Sequence, residues 1–141
     1  MKPGSIELFS FLKTIDSDFR PSLTTKVNLR EFIIKIRKKA KIIYYRDNGN
    51  KLVGLLVLYC NNKKDRISYI SLVGVLKEYR GKGIARTMLN QAIVYAKERN
   101  FETLGIHSNN PIAINLYKNL GFRIKEKGER VYMEKKLKEY E

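Results

Sequence analysis

Apolar residues recur along this chain in two rhythms, and each change of rhythm marks an element. Between Ser5 and Thr14, Ile6, Leu8, Phe9 and Leu12 fall at helical spacing and predict a short amphipathic helix. Asp16 to Lys26 holds Pro21 and several Ser and Thr residues, which predicts a connecting loop. Asn28 then opens a capping box with Glu31. Leu29, Phe32, Ile33 and Ile36 line one face of the helix that follows, and Arg30, Lys35, Arg37 and Lys38 its other face.

From Lys41 the period shortens. Lys41 to Tyr45 predicts a strand, Asp47-Asn48-Gly49-Asn50 a turn with the Asn-Gly hairpin signal, and Leu52 to Tyr59 a second strand. After the polar stretch Asn61 to Arg66, Ile67 to Val75 reads as a third strand, completing an antiparallel meander. Gly74 near its end predicts a bulge or a close backbone approach.

Helical spacing returns over Ile84 to Arg99 with Ile84, Met88, Leu89, Ala92, Ile93 and Ala96. Thr103 to His107 is a short strand, reached through this crossover helix and so expected to lie parallel to the third strand. Asn110 suits an N-cap, Pro111 a first helical position and Gly121 the residue after a helix end. Phe122 to Glu126 and Val131 to Leu137 predict a terminal hairpin. The fold class is α/β: a mixed, mostly antiparallel sheet with flanking helices, forming one domain over residues 1–141 whose first 39 residues are a helical section.

At 141 residues the chain is long enough for a core without disulfides or metals, and the single Cys60, in an apolar strand, reads as a core residue. One cysteine, no leader-like segment and no membrane-length apolar run lead to the expectation of a cytoplasmic protein. Composition is otherwise ordinary except for charge. A formal +15 draws polyanions, whether nucleic acid, an anionic membrane or a phosphorylated small molecule. The basic run Lys35 to Lys41 is interrupted by Ile36 and Ala40 at helical spacing, and is read as the wet face of a packed helix.

The chemistry concentrates between the third strand and the crossover helix. Arg80-Gly81-Lys82-Gly83-Ile84-Ala85 places two glycines and two cations directly before a helix start, a setting suited to phosphate. Two familiar phosphate loops are excluded. A P-loop requires Ser or Thr after Lys82, where Gly83 stands, and a dinucleotide turn beginning at Gly81 meets Arg86 at its third glycine position.

The segment fits Arg/Gln-x-x-Gly-x-Gly/Ala, and Asn110 to Phe122 fits Asn-x-x-Ala-x-x-Leu-Tyr-x-x-x-Gly-Phe. In both blocks, over about residues 40 to 137, the chain resembles the GNAT superfamily of N-acetyltransferases. Lys77 departs from the proline frequent there, a change expected to alter the turn only.

The resemblance implies a splayed central parallel strand pair, with Gly74 and Gly105 placed to open it. It also implies acetyl-CoA as acyl donor. The pyrophosphate would lie on Arg80, Gly81, Lys82, Gly83, Ile84 and Ala85, and the pantetheine arm along Val73 to Val75, with Asn110 and Tyr117 as further cofactor contacts. The reaction implied is direct attack of a primary amine on the thioester, with Tyr117 protonating the departing thiolate. The acceptor, a small amine, an amino sugar or a protein amine, would be bordered by the N-terminal helices and the loop Asp16 to Lys26. No metal is expected.

The general base is not legible. The strand Ile67 to Val75 carries no carboxylate, and His107, Tyr69 and Ser71 are the polar groups nearby, with His107 the candidate base. Two other readings stay open: a CoA-binding regulatory module without catalysis, and, ranked last, a basic nucleic-acid-binding protein. Nucleic acid is therefore not an expected partner, and the chain is read as a monomer or homodimer.

Overall fold

The computed structural model describes residues 1–19, 21–25 and 27–138. Among the described residues, six strands form one sheet: β1 (Lys41–Arg46), β2 (Leu52–Asn62), β3 (Ile67–Val75), β4 (Thr103–Ser108), β5 (Arg123–Glu126) and β6 (Val131–Lys136), in the order β1-β2-β3-β4-β6-β5. Every pair is antiparallel except β3 with β4. The described residues also form four α-helices that flank it: α1 (Ser5–Ile15), α2 (Leu29–Lys39), α3 (Ile84–Glu98) and α4 (Pro111–Asn119). The expected loop between α1 and α2 contains two single 3-10 turns, Asp16–Asp18 and Leu23–Thr25. Two residues of that expected loop, Arg20 and Lys26, lie outside the described residues.

Helices cover both faces of the sheet, so β2 is buried from Leu52 through Leu58 without alternation. Two glycines show which helix covers which face. A Cβ on Gly54 would meet Ile84 and Met88 of α3 at 3.0–3.2 Å, whereas one on Gly74 would come within 2.5 Å of Ile15 in α1. Gly74 is paired with Leu55, the neighbour of Gly54 on β2, so the two glycines face opposite ways. Gly74 thus marks the close approach foreseen for it, here to a helix.

The bulge sits elsewhere. Val57 pairs with Leu72 and Leu58 with Ile70, which leaves Ser71 as the extra residue of β3.

Asn28 and Asn110 cap their helices as the residue pattern predicts, but among the described residues the Glu31 side chain accepts no hydrogen bond from Asn28 N–H, so only half of the expected capping box forms. The side-chain oxygen of Asn28 accepts from the N–H groups of Arg30 and Glu31, and that of Asn110 from Ile112 and Ala113. The β1–β2 turn differs in detail. Asn50 (φ 71°), one residue after Gly49, takes the left-handed conformation. The Asp47 carboxylate accepts from the N–H groups of Gly49 and Lys51, holding a turn one residue longer than Asn-Gly alone predicts.

Candidate active site

β3 and β4 share four rungs, from Ile67/Thr103 to Ile70/Ile106, and then part. The separation begins at the Ser71 bulge, which adds local twist to β3. β4 stays paired with β6 through Ser108/Val131, and β3 with β2 through Val75/Gly54. Each strand is therefore held from its far side. Neither Gly74 nor Gly105 makes the opening, contrary to the expectation. Gly74 admits Ile15, and Gly105, paired with Tyr69 within the closed part, leaves room for the Tyr132 ring.

The direction of the peptide groups along the open edge follows from one hydrogen bond. Leu76 N–H donates to the Val53 carbonyl at 2.9 Å, so by alternation Leu76, Gly74 and Leu72 turn their peptide groups to β2. Val73 and Val75 turn theirs into the gap. The Val75 carbonyl there accepts from Arg80 Nε at 3.0 Å, and the Val75 N–H and both Val73 groups have no partner among the described residues.

Beyond Val75 a 3-10 turn, Lys77–Tyr79, leads into the glycine loop and is anchored by the Tyr79 hydroxyl, which donates to the Asp47 carboxylate at 2.6 Å. Gly81 (φ 78°) and Gly83 (φ 83°) both require the left-handed region. Gly83 caps α3 without a side chain, and the N–H groups from Gly81 to Arg86 meet no acceptor among the described residues. A Cβ on either glycine would touch nothing within 4 Å, so the space beside the loop is open. Open N–H groups at the positive end of a 15-residue helix suit a pyrophosphate. The Lys82 ammonium sits over the Tyr79 ring at 5.3 Å. Arg80 donates to the Val75 carbonyl and pairs with Asp18 of the first 3-10 turn.

At the opposite lip of the gap stands His107, the first β4 residue past the last rung. Its Nδ1 lies 2.7 Å from the Tyr69 hydroxyl, and its ring packs on Tyr132 with centroids 4.8 Å apart. The Tyr132 hydroxyl donates to Glu134 at 2.8 Å. Burial lowers the His107 pKa below its ordinary value, and the Arg130 charge lowers it further, outweighing Glu126. The ring is therefore neutral at pH 7. Burial raises the Tyr69 pKa, so its phenol keeps its proton, and in the tautomer with the ring proton on Nε2 the hydroxyl donates to Nδ1. Tyr132 and Glu134 were not singled out from sequence. Their alternation within a strand was the only signal, since β6 had first to be placed beside β4.

Tyr117 lies on α4 with only 5 % of its surface exposed, its ring 5.9 Å from that of Phe122. Among the described residues its hydroxyl has no hydrogen-bond partner, yet no fully buried side-chain nitrogen or oxygen is left unsatisfied, so the hydroxyl reaches accessible space. Burial raises its pKa to about 12. The Asn110 oxygen is spent on the α4 cap. A cleft of about 720 Å³ lies between α1, Lys51 and the Lys77–Tyr79 turn. It shares Lys82 with the loop but holds none of Tyr69, His107 or Tyr117, so it is not where the candidate reacting groups meet.

Comparison with known proteins gives the family and the fold. The model of the acetyltransferase (GNAT) family matches residues 8–122. A Drosophila melanogaster protein described as a probable N-acetyltransferase, san, is 33% identical over 104 residues, covering 71% of this chain and 55% of that protein. An uncharacterized N-acetyltransferase of Methanocaldococcus jannaschii is 38% identical over 85 residues, 56% of this chain and 37% of its own length. The chain thus spans about half or less of these relatives. Among solved structures, a Thermoplasma acidophilum PaiA N-acetyltransferase in complex with coenzyme A superposes with a TM-score of 0.75 at 16% identity, covering 96% of both chains. A spermidine N-acetyltransferase chimera, from Vibrio cholerae and hSSAT, superposes with a TM-score of 0.78 at 19% identity, covering 97% of this chain and 93% of its own.

Proposed function

The chain belongs to the acetyltransferase (GNAT) family, and on that premise we propose that it moves an acetyl group from acetyl-CoA to a primary amine by direct attack. The observation that carries the reading is the continuity of the open β3 edge at Val73 and Val75 with the unpartnered N–H groups of the glycine loop. A pantetheine arm would lie along that edge as an added strand, and its pyrophosphate would sit on Gly81 to Ala85. Arg80 would exchange Asp18 for a phosphate oxygen.

The Val75 N–H, turned into the gap, would donate to the thioester oxygen as negative charge builds there. The amine nitrogen forms a bond to the acetyl carbon, and the carbon–sulfur bond breaks with its electron pair leaving on sulfur. An alkylammonium must first lose a proton. That first proton goes to water; the second, lost as the new carbon–nitrogen bond makes the nitrogen positive, goes to the Tyr69–His107 relay, in which the hydroxyl oxygen takes it while its own proton moves to Nδ1, so phenolate never accumulates.

Tyr117 faces the leaving group. Its pKa of about 12 lies more than three units above that of an ordinary thiol, so complete proton transfer to a thiolate would be uphill by about 5 kcal/mol. Its role is a hydrogen bond to the developing sulfur charge, with final protonation from water.

Release of free thiol on mixing protein, acetyl-CoA and a panel of small amines, amino sugars and peptides tests the function. Amine-dependent release is expected. Acetyl-CoA binding with no release for any amine would leave a binding module instead.

A further inference from the structure

Little of the +15 charge stands at the donor site beyond Arg80 and Lys82, and the fold gathers much of it at the opposite end of the sheet. α2 ends there with Arg37, Lys38 and Lys39, and β1 begins with Lys41. The β2–β3 turn adds Lys63, Lys64 and Arg66, and α3 ends nearby with Lys97 and Arg99; all of these are exposed.

Hydrogen bonds and ring contacts join these ends into one surface. Asn61 Nδ2 donates to the Lys39 carbonyl at 3.0 Å, linking α2 to β2. Glu102 N–H donates to the Arg66 carbonyl at 2.8 Å, linking the turn to the entry of β4. Tyr95 has Lys41 and Arg99 against its ring at 5.2 and 3.4 Å, and Lys35 lies 5.7 Å from the Tyr59 ring.

Asp65 and Glu98 are the exposed carboxylates among them, and neither forms an ion pair; the pairs among the described residues are Arg46–Glu7 and Arg80–Asp18. Complementing helix dipoles accounts for cations in the last turns of α2 and α3. It does not account for Lys63, Lys64 and Arg66, which belong to a turn between strands.

We propose that this basic pole is a docking surface for the phosphodiester backbone of nucleic acid. Cations interleaved with tyrosines suit phosphates flanked by bases. An anionic membrane fits less well, since large exposed apolar side chains near the pole are single and on different helices, Ile34 on α2 and Val94 on α3. The length of β3, about 25 Å, separates the pole from Val75, so a bound polymer leaves the gap and glycine loop open. The inference does not depend on acetyl transfer.

The test uses fluorescence anisotropy with 20-base-pair RNA and DNA duplexes and single strands between 50 and 200 mM salt, comparing two triple variants. Lys38→Gln/Lys63→Gln/Lys64→Gln alters the pole, and Lys2→Gln/Lys13→Gln/Lys51→Gln removes equal charge elsewhere. The pole variant is expected to bind at least about tenfold more weakly and to lower the slope of log K against log salt by about 2–3, with acetyl-CoA affinity unchanged. The control should stay within about threefold of the parent. RNA and DNA arms of equal strength indicate backbone recognition, and an RNA preference adds contacts to the 2′-hydroxyl; both support the pole. Equal weakening in both variants, no binding at 50 mM salt, or phosphatidylserine vesicles bound as tightly as duplex at equal charge would each overturn it.

Discussion

The Tyr69 hydroxyl lies 2.7 Å from Nδ1 of His107, across the mouth of the only parallel strand pair among the described residues. Tyr69 is one rung inside the closed part and His107 one residue beyond it, so the hydrogen bond straddles the place where the sheet opens. If the pair forms one proton path, Tyr69→Phe and His107→Gln should each lower kcat by roughly 10²-fold, and the double variant by little more than either alone. Acetyl-CoA affinity, read by calorimetry, should not change. Multiplicative losses in the double variant would show two separate roles.

The same pair sets a pH signature. His107 must be neutral to accept a proton, so kcat/KM should fall as pH drops through its pKa, which lies below the ordinary His value. Arg130 is one cause of that lowering. Arg130→Gln should therefore raise the His107 pKa and move the acid limb to higher pH. A limb that stays in place would remove His107 from the proton path.

Tyr117→Phe should cost about 10- to 100-fold in kcat, the worth of a hydrogen bond to a charged atom, with little change in acetyl-CoA affinity. Because the hydroxyl has no partner among the described residues, Tm should hold or rise slightly. An unchanged rate would leave Tyr117 as core alone.

Asp18 and Arg80 are both substantially exposed, 37% and 45%, so their ion pair is weak, about 1 kcal/mol or less. In the proposed site it competes with the cofactor phosphates. Asp18→Asn should thus tighten acetyl-CoA binding, by up to about fivefold. Weaker binding would mean that Asp18 instead holds Arg80 in its productive position.

Gly105 has no room for a side chain, because a Cβ there would collide with the Tyr132 hydroxyl. Gly105→Ala should displace that ring from His107 and Glu134, lowering kcat while leaving acetyl-CoA affinity intact. Gly74→Ala meets the buried Ile15 instead and should cost about 1–3 kcal/mol of stability in denaturant unfolding, through overpacking.

What sequence made legible follows the range of the interactions. The glycine loop, the Asn28 and Asn110 caps and the β3 to α3 succession are local, and their residue patterns carry them. The parallel pairing of β3 and β4 was readable because a crossover helix separates them. Arg80 and Asp18 are 62 residues apart, and no local pattern announces their pair. The Tyr69–His107–Tyr132–Glu134 chain needs β6 inserted between β4 and β5, a register that hydrophobic alternation alone does not assign. The opening was attributed to glycines because glycine marks irregular strands, whereas the register places it at Ser71, a residue with no such signature.

The central claim is that Val73, Val75 and the loop together hold acetyl-CoA across the gap. Residue-resolved amide hydrogen exchange, with and without acetyl-CoA, tests it most directly. The account predicts slowed exchange at the N–H groups of Val73 and Val75 and from Gly81 to Arg86, with the Lys63–Arg66 turn unchanged. Protection confined to the cleft beside α1, or absent from both the strand edge and the loop at saturating acetyl-CoA, would contradict it.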